Sequence, residues 1–346
     1  MTAWQAILVL SLLVSGGVLG SAAPNTPWAE GAQKGASEHL IFVREFSSAH
    51  DVKRGLSPVL NRGLDIIAGP KEDLPATDIL QKPYAVTTDA AHRVFVTDLS
   101  AGVVHVFDFV HSKYSNLHGG DRLSAPVGVA ADGDGNVYVS DSNLRTILVY
   151  DSKGKFTHYL KSARRRESYF DVPRGIAVDA TTGHIYVCDA PRHMVVMLDK
   201  KGHVLARWGK RGGGTGPGEF KYPTQVATAG DEMVILDSRN YRVQIFDLRG
   251  HFRMEIRLGD AATHASLAMD NDKNIYVTDP QLDRLQVFDH NGQLSYEFGQ
   301  IGTEPGQFHG ISGIWVDSGH CLYIVDSYNK RVELFHISGP GRDACS

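Results

Sequence analysis

Cysteine is nearly absent: Cys188, Cys321 and Cys345 are the only three in 346 residues, too few for a disulfide framework. Cys188 falls within a strand-like run, where a small buried side chain is expected. A Cys321–Cys345 bridge tying down the tail stays open, because sequence alone does not give the Cα separation such a bridge requires. An excess of basic charge is also missing. Lys and Arg total 35 against 39 Asp and Glu, a net charge of −4, so the chain as a whole has no electrostatic reason to hold nucleic acid. After the N-terminal segment no stretch is long and apolar enough to cross a bilayer. There is no nucleophile elbow and no Cys/His pairing. The glycines of "GKRGGGTGPGEF" (209–220) precede no helix start and no Lys-Ser/Thr pair, and "GQIGTEPGQF" (299–308) restates them in shorter form, so they read as a connection rather than a phosphate cradle. "DGDGN" (132–136) and "DNDKN" (270–274) lack the remaining ligands of a calcium loop and read as hairpin turns.

What is present is repetition. "HRVFVTDLSAGVVHVFD" (92–108) returns as "GNVYVSDSNLRTILVYD" (135–151) and "GHIYVCDAPRHMVVMLD" (183–199). It then returns as "DEMVILDSRNYRVQIFD" (231–247), "KNIYVTDPQLDRLQVFD" (273–289) and "HCLYIVDSYNKRVELFH" (320–336). The marker aspartates Asp98, Asp141, Asp189, Asp237, Asp279 and Asp326 lie 43, 48, 48, 42 and 47 residues apart. Each repeat holds two apolar alternating runs, most have an upstream run that opens with proline ("PYAVTTD", "PVGVAAD", "PRGIAVD"), and a fourth run follows ("FTHYL", "VLARWG", "FRMEIRLG", "LSYEFG"). Six units of four strands, here a to d, predict an all-β fold: a six-bladed β-propeller of four-stranded antiparallel blades.

The sixth unit ends without a strand d, and an open edge is an aggregation hazard. "LIFVREF" (40–46) stands alone near the N-terminus with strand-d character and is expected to complete the last blade. Between it and the first unit, "LSPVLNRGLDIIAGP" (56–70) changes to helical spacing, which predicts one short inserted helix over about 57–68. The opening "MTAWQAILVLSLLVSGGVLGSAAP" reads as a signal peptide over 1–22, with 23–39 as a linker, 40–339 as the propeller and 340–346 as a tail. A secreted or periplasmic protein is therefore expected, membrane-anchored only if residues 4–20 stay uncleaved.

"PRGIAVDATTGHIYVCDAPRHMVVMLDKKGHVLARWG", "GTGPGEFKYP" (214–223) and "DSYNKRVELF" (326–335) resemble the NHL repeat in order and spacing. The resemblance covers 83–337 and implies a six-bladed propeller, here of an exported bacterial type. The family includes RNA-binding and protein-binding modules, kinase sensor domains and a zinc-dependent amidating lyase, so it leaves function open. In the lyase branch, a histidine directly after the strand-a proline holds zinc. The corresponding residues here are Tyr84, Val127, Arg174, Thr224, Ala265 and Ser312, none of them histidine and none the carboxylate or Asn that an axial calcium ring would use. The turn aspartates and Arg145, Arg242, Arg284 and Arg331 read as architecture, because a feature repeated around the ring serves the fold.

One asymmetry remains. Arg164, Arg165, Arg166 and Arg174 come from the link into unit 3 and its first strand, with Arg192 in that unit's b–c turn. Lys210 and Arg211 lie in the next link, and Arg239 lies in the b–c turn of unit 4. All are expected on one face, with Arg174 at the channel mouth and Tyr84 offering an aromatic surface across it. The expected function is a non-catalytic binding or scaffold propeller that recognises a protein partner or an anionic ligand through this face. No cofactor, metal or nucleic acid is called for, and a monomer is expected. The competing expectation is a metal-dependent lyase or lactonase-like enzyme with an axial site.

Overall fold

The computed structural model describes residues 39–52, 74–118, 123–160, 169–259, 266–339, 342 and 345. The signal segment, the linker apart from His39, the 57–68 helix, Arg164, Arg165, Arg166 and most of the 340–346 tail lie outside the described residues.

The chain forms six separate four-stranded antiparallel sheets, one per repeat. Strand β1 (Leu40–Phe46) comes first. Blade 1 holds β2 (Pro83–Thr88), β3 (Val94–Asp98), β4 (Val103–Asp108) and β5 (Lys113–Asn116). Blade 2 holds β6 (Pro126–Ala131), β7 (Val137–Asp141), β8 (Thr146–Tyr150) and β9 (Phe156–Leu160). Blade 3 is β10 (Pro173–Val178), β11 (Ile185–Asp189), β12 (Met194–Leu198) and β13 (Val204–Gly209). Blade 4 is β14 (Pro223–Ala229), β15 (Glu232–Asp237), β16 (Arg242–Asp247) and β17 (Phe252–Arg257). Blade 5 follows with β18 (Leu267–Met269), β19 (Ile275–Asp279), β20 (Arg284–Phe288) and β21 (Leu294–Phe298). Blade 6 has β22 (Ile311–Val316), β23 (Cys321–Asp326) and β24 (Arg331–Ile337), and β1 takes its fourth place.

Burial explains why the second strand of each repeat is nearly continuous in apolar residues. β3, β7, β11 and β19 are buried at every position. Both faces are covered, because alternate side chains enter the cores on either side. Val94 and Val96 join Tyr323, Val325 and Leu334 of blade 6, whereas Phe95 joins Val137, Val139 and Leu148 of blade 2. Each such side chain contributes about 1.5–3 kcal/mol. The outermost strands face solvent on one side, and β9 and β17 are accordingly mixed in polarity.

Closure is as expected. β1 pairs with β24 from Leu40↔Ile337 to Phe46↔Val332. Arg331 fastens the pair: its guanidinium donates to Glu45 of β1, to Asp326 at 2.9 Å and to the carbonyls of Thr303 and Gln307 at 2.8 Å. A disulfide joins Cys321 to Cys345 across a Cα separation of 5.7 Å, deciding the bridge that sequence left open. Cys188 is fully buried, and burial pushes its thiol pKa up, away from reactivity. Two units lack the strand-a proline: the one with His264 in its place has a first strand of three residues, β18, and the one with Ile311 has a first strand of six, β22.

Register fixes which loops share a face. Pro83 sits opposite Asp98, Pro126 opposite Asp141, Pro173 opposite Asp189 and Pro223 opposite Asp237. The start of each strand a and the end of each strand b therefore lie together, so the d–a links and the b–c turns occupy one face of the disc, here called the link face.

Candidate functional site

The repeated aspartates hold the link face together. Asp98 accepts from the backbone N–H of Gln81 and Lys82 on the incoming link and of Ser100 and Ala101 on its own turn. Asp141 does the same with Ser124, Ala125, Asn143 and Leu144. Four charge-assisted bonds per carboxylate satisfy backbone donors that a tight turn would otherwise strand. Arg242 pairs with Asp237 and Glu255 and donates to the carbonyls of Thr215, Gly216 and Glu219. Arg284 lies against Asp279 and Glu297, and Arg145 pairs with Asp171. These arginines are architectural, as the repetition implies.

At the axis the pattern breaks. In blades 1, 2, 3, 4 and 6 the pairing of the first two strands shifts just after the leading residue, a bulge that turns the next side chain toward the axis. The result is a cup of about 360 Å³ lined by Tyr84, Val127, Arg174, Tyr222, Thr224 and Arg239, with Gln225, Ser266 and Ser312 completing the wall. Among the described residues no carboxylate lines it. The Tyr222 ring carries two guanidinium groups, Arg239 at 4.4 Å and Arg174 at 5.6 Å from its centroid. Among the described residues neither arginine has a carboxylate partner. Two polar atoms of the lining, Arg174 Nε and Ser312 Oγ, are buried without a hydrogen-bond partner. The same holds for Thr87 Oγ1, His105 Nε2 and Arg284 Nε elsewhere in the ring.

Below the cup the channel narrows to about 30 Å³ between Val86, Val129, Ile176, Val226, Leu267 and Ile314, one side chain from each blade. That is about the volume of one water. Gln225 and Ser266 line both spaces, and Gln225 Nε2 donates to Ser266 Oγ at 3.1 Å. Gln225 fits because Gly175 faces it: a Cβ on Gly175 would lie 1.9 Å from Gln225 Oε1 and 2.6 Å from its Cα. The cup is therefore closed at its base.

Of the expected ligand residues, Tyr84, Arg174 and Arg239 are brought together here. Arg192 donates to the Tyr169 carbonyl and lies 3.2 Å from Asp189, and Lys210 pairs with Glu219, so both are engaged by the scaffold. Arg211 is exposed on the link. Arg164, Arg165 and Arg166 fall outside the described residues. Tyr222 was not singled out from sequence. It holds φ of +63°, a left-handed conformation that bulky residues rarely adopt, and its N–H donates to His193 Nδ1 at 3.0 Å. Blade 6 places Gly310, φ +70°, at the same point before strand a. The lone signal was a tyrosine where a sister repeat has glycine. Among the described residues no group of three His, Cys, Asp or Glu side chains is placed to hold a metal ion.

Residues 170–196 match the NHL repeat family, and residues 264–339 match a family described as 6-bladed beta-propeller. Over 136 residues the chain is 29% identical to protein brain tumor of Drosophila melanogaster, covering 38% of this chain and 13% of that protein. Over 151 residues it is 28% identical to the peptidylglycine alpha-amidating monooxygenase of Rattus norvegicus, covering 41% of this chain and 16% of that protein. The chain thus spans only a small part of the curated relatives it matches. Among solved structures, a chain of the nidogen/laminin complex superposes with a TM-score of 0.56 at 17% identity, covering 80% of this chain and 97% of that one. A virginiamycin B lyase from Staphylococcus aureus does so with a TM-score of 0.55 at 13% identity, covering 77% and 99%. At such identities the likeness is one of fold. The six repeats, the closed ring of blades and these matches give the chain the fold of a six-bladed β-propeller, with an NHL repeat matched over residues 170–196.

Proposed function

We propose that this propeller binds rather than catalyses, recognising an anionic ligand or acidic partner through its link face, in the cell envelope or extracellular space. The observation that carries this reading is the cup at the axis. Arg174 and Arg239 meet there with no acid beside them among the described residues, whereas Arg145, Arg242, Arg284 and Arg331 are all matched by carboxylates. Unmatched guanidinium groups around a concave, partly aromatic wall suit an oxyanion. The apolar N-terminal segment supports export, and so does the Cys321–Cys345 disulfide, which an oxidising compartment favours. The similarity to a chain of the nidogen/laminin complex is in keeping with a binding role. A lyase or lactonase-like reaction at the axis would call for imidazoles or carboxylates there. The axial positions among the described residues are Tyr84, Val127, Arg174, Thr224 and Ser312.

Replacing Arg174, Arg211 and Arg239 together with Glu tests the face. Crosslinking capture from the native host with the wild-type protein, and again with the variant, should recover a stoichiometric partner or ligand only in the first case. The variant should still unfold in one cooperative transition, since Arg211 and Arg239 are exposed and none of the three arginines pairs with a carboxylate among the described residues. Equal capture by both proteins would remove this face from consideration.

A further inference from the structure

The cup has two unlike walls. On the side of blades 3 and 4 stand Arg174, Tyr222 and Arg239, cationic and aromatic. Across from them, from blades 4, 5 and 6, stand Gln225, Ser266 and Ser312, neutral groups that both donate and accept. A simple anion would answer the first and leave the second empty. A neutral polyol would do the reverse.

The closed base adds a third constraint. The space below the cup, about 30 Å³, holds no more than about one water, so among the described residues the cup opens to a ligand on the link face. What enters is an end group or a free small molecule. The paired N–H groups of a guanidinium match the two oxygens of a planar carboxylate, and among the described residues neither Arg174 nor Arg239 has a carboxylate partner. Tyr84 supplies a further aromatic surface for the C–H face of a ring.

We infer that the cup binds a hydroxylated carboxylate of the sugar-acid class, end-on, with its carboxylate on Arg174 and Arg239 and its hydroxyls on Ser312, Ser266 and Gln225. This rests on the link face being a binding surface. Free uronic acid and the terminal uronate of an acidic polysaccharide present the same chemistry to the cup.

Calorimetric titration of the purified protein with D-glucuronate, D-galacturonate and a short oligouronate tests the inference. Glucose, acetate and inorganic phosphate are the controls. The uronates should bind at least about tenfold more tightly than any control, because each control satisfies one wall only. Arg174→Gln should weaken uronate binding by about tenfold or more, and Arg174→Lys should recover part of it, keeping charge while losing the fork. Ser312→Ala should weaken it less, and should leave acetate binding unchanged. Binding of the oligouronate alone would assign the polysaccharide end, and comparable binding of the monosaccharides would assign the free acid; both support the inference. Absence of uronate binding, equal affinity for glucose or phosphate, or unaltered affinity in both Arg174 variants would overturn it. Binding of acetate or an acidic peptide without uronate would do so too, while leaving the anion-binding reading of the face intact.

Discussion

Gly175 and Tyr222 show how single residues set the axis. At Gly175 the strand backbone of blade 4 comes so close that a methyl group would meet Gln225 Cα at 2.6 Å and the Thr224 carbonyl at 2.7 Å. The side-chain amide of Gln225 can swing away, but the backbone cannot. Gly175→Ala should therefore destabilise the protein by about 1–3 kcal/mol, the range for overpacking, seen as a lowered denaturant midpoint with unchanged slope. Unchanged stability would mean that the blades can part at the axis. Neither residue is singled out by the repeat pattern. A glycine in a repeat declares a backbone requirement, whereas a tyrosine in a left-handed conformation declares nothing until φ is known. Arg192 and Lys210 show the converse: their charge was legible, but the carbonyl and carboxylates that engage them were not.

At the scale of elements, the join between β24 and β1 differs from its sister strands in one group. In blades 4 and 5 the residue two beyond the strand-c arginine is Gln244 or Gln286, but in blade 6 it is Glu333. Arg331 thus faces three carboxylates, Glu45 from β1, Asp326 from β23 and Glu333 from its own strand. Burial raises the Glu333 pKa to about 7; the Gly306 N–H and Arg331 oppose this, and the charges of Asp326 and Glu45 add to it. A raised carboxyl pKa means the folded state keeps a proton that the unfolded chain, near 4.5, has already released. Stability from this group is therefore greatest below about 4.5 and falls as pH rises to about 7. Glu333→Gln copies Gln244, which accepts from the Gly218 N–H and donates to the Glu219 carbonyl. The variant should flatten the decline in melting temperature between pH 5 and 7 and be the more stable protein at pH 8. A wild-type curve already flat across that window would refute the assignment.

For the whole molecule, each blade buries its apolar faces only against its neighbours, so the last contact closed matters as much as any other. β1 contributes Leu40 to the core shared by blades 5 and 6, and Phe46 to the core shared by blades 6 and 1. Removing the residues before Ser47 should open β24 to solvent and lower the midpoint of thermal unfolding by well over 5 °C, the equivalent of losing more than about 1–2 kcal/mol in a domain of this size. A truncate that melts with the full-length chain would show that closure contributes little.

The sequence by itself determined the number of blades, the four strands of each, the pairing of residues 40–46 with the last blade and the architectural part played by the turn aspartates. Those follow from period and alternation, which record burial directly. Only the tertiary structure decided the site. Arg174, Tyr222, Arg239 and Ser312 lie up to 138 positions apart in the chain: a bulge in strand a turns Arg174 and Ser312 toward the axis, whereas Tyr222 and Arg239 reach it from the link and the b–c turn of blade 4. Which charge is matched and which is left over depends on neighbours contributed by other blades. That is a property of packing, and no periodicity encodes it.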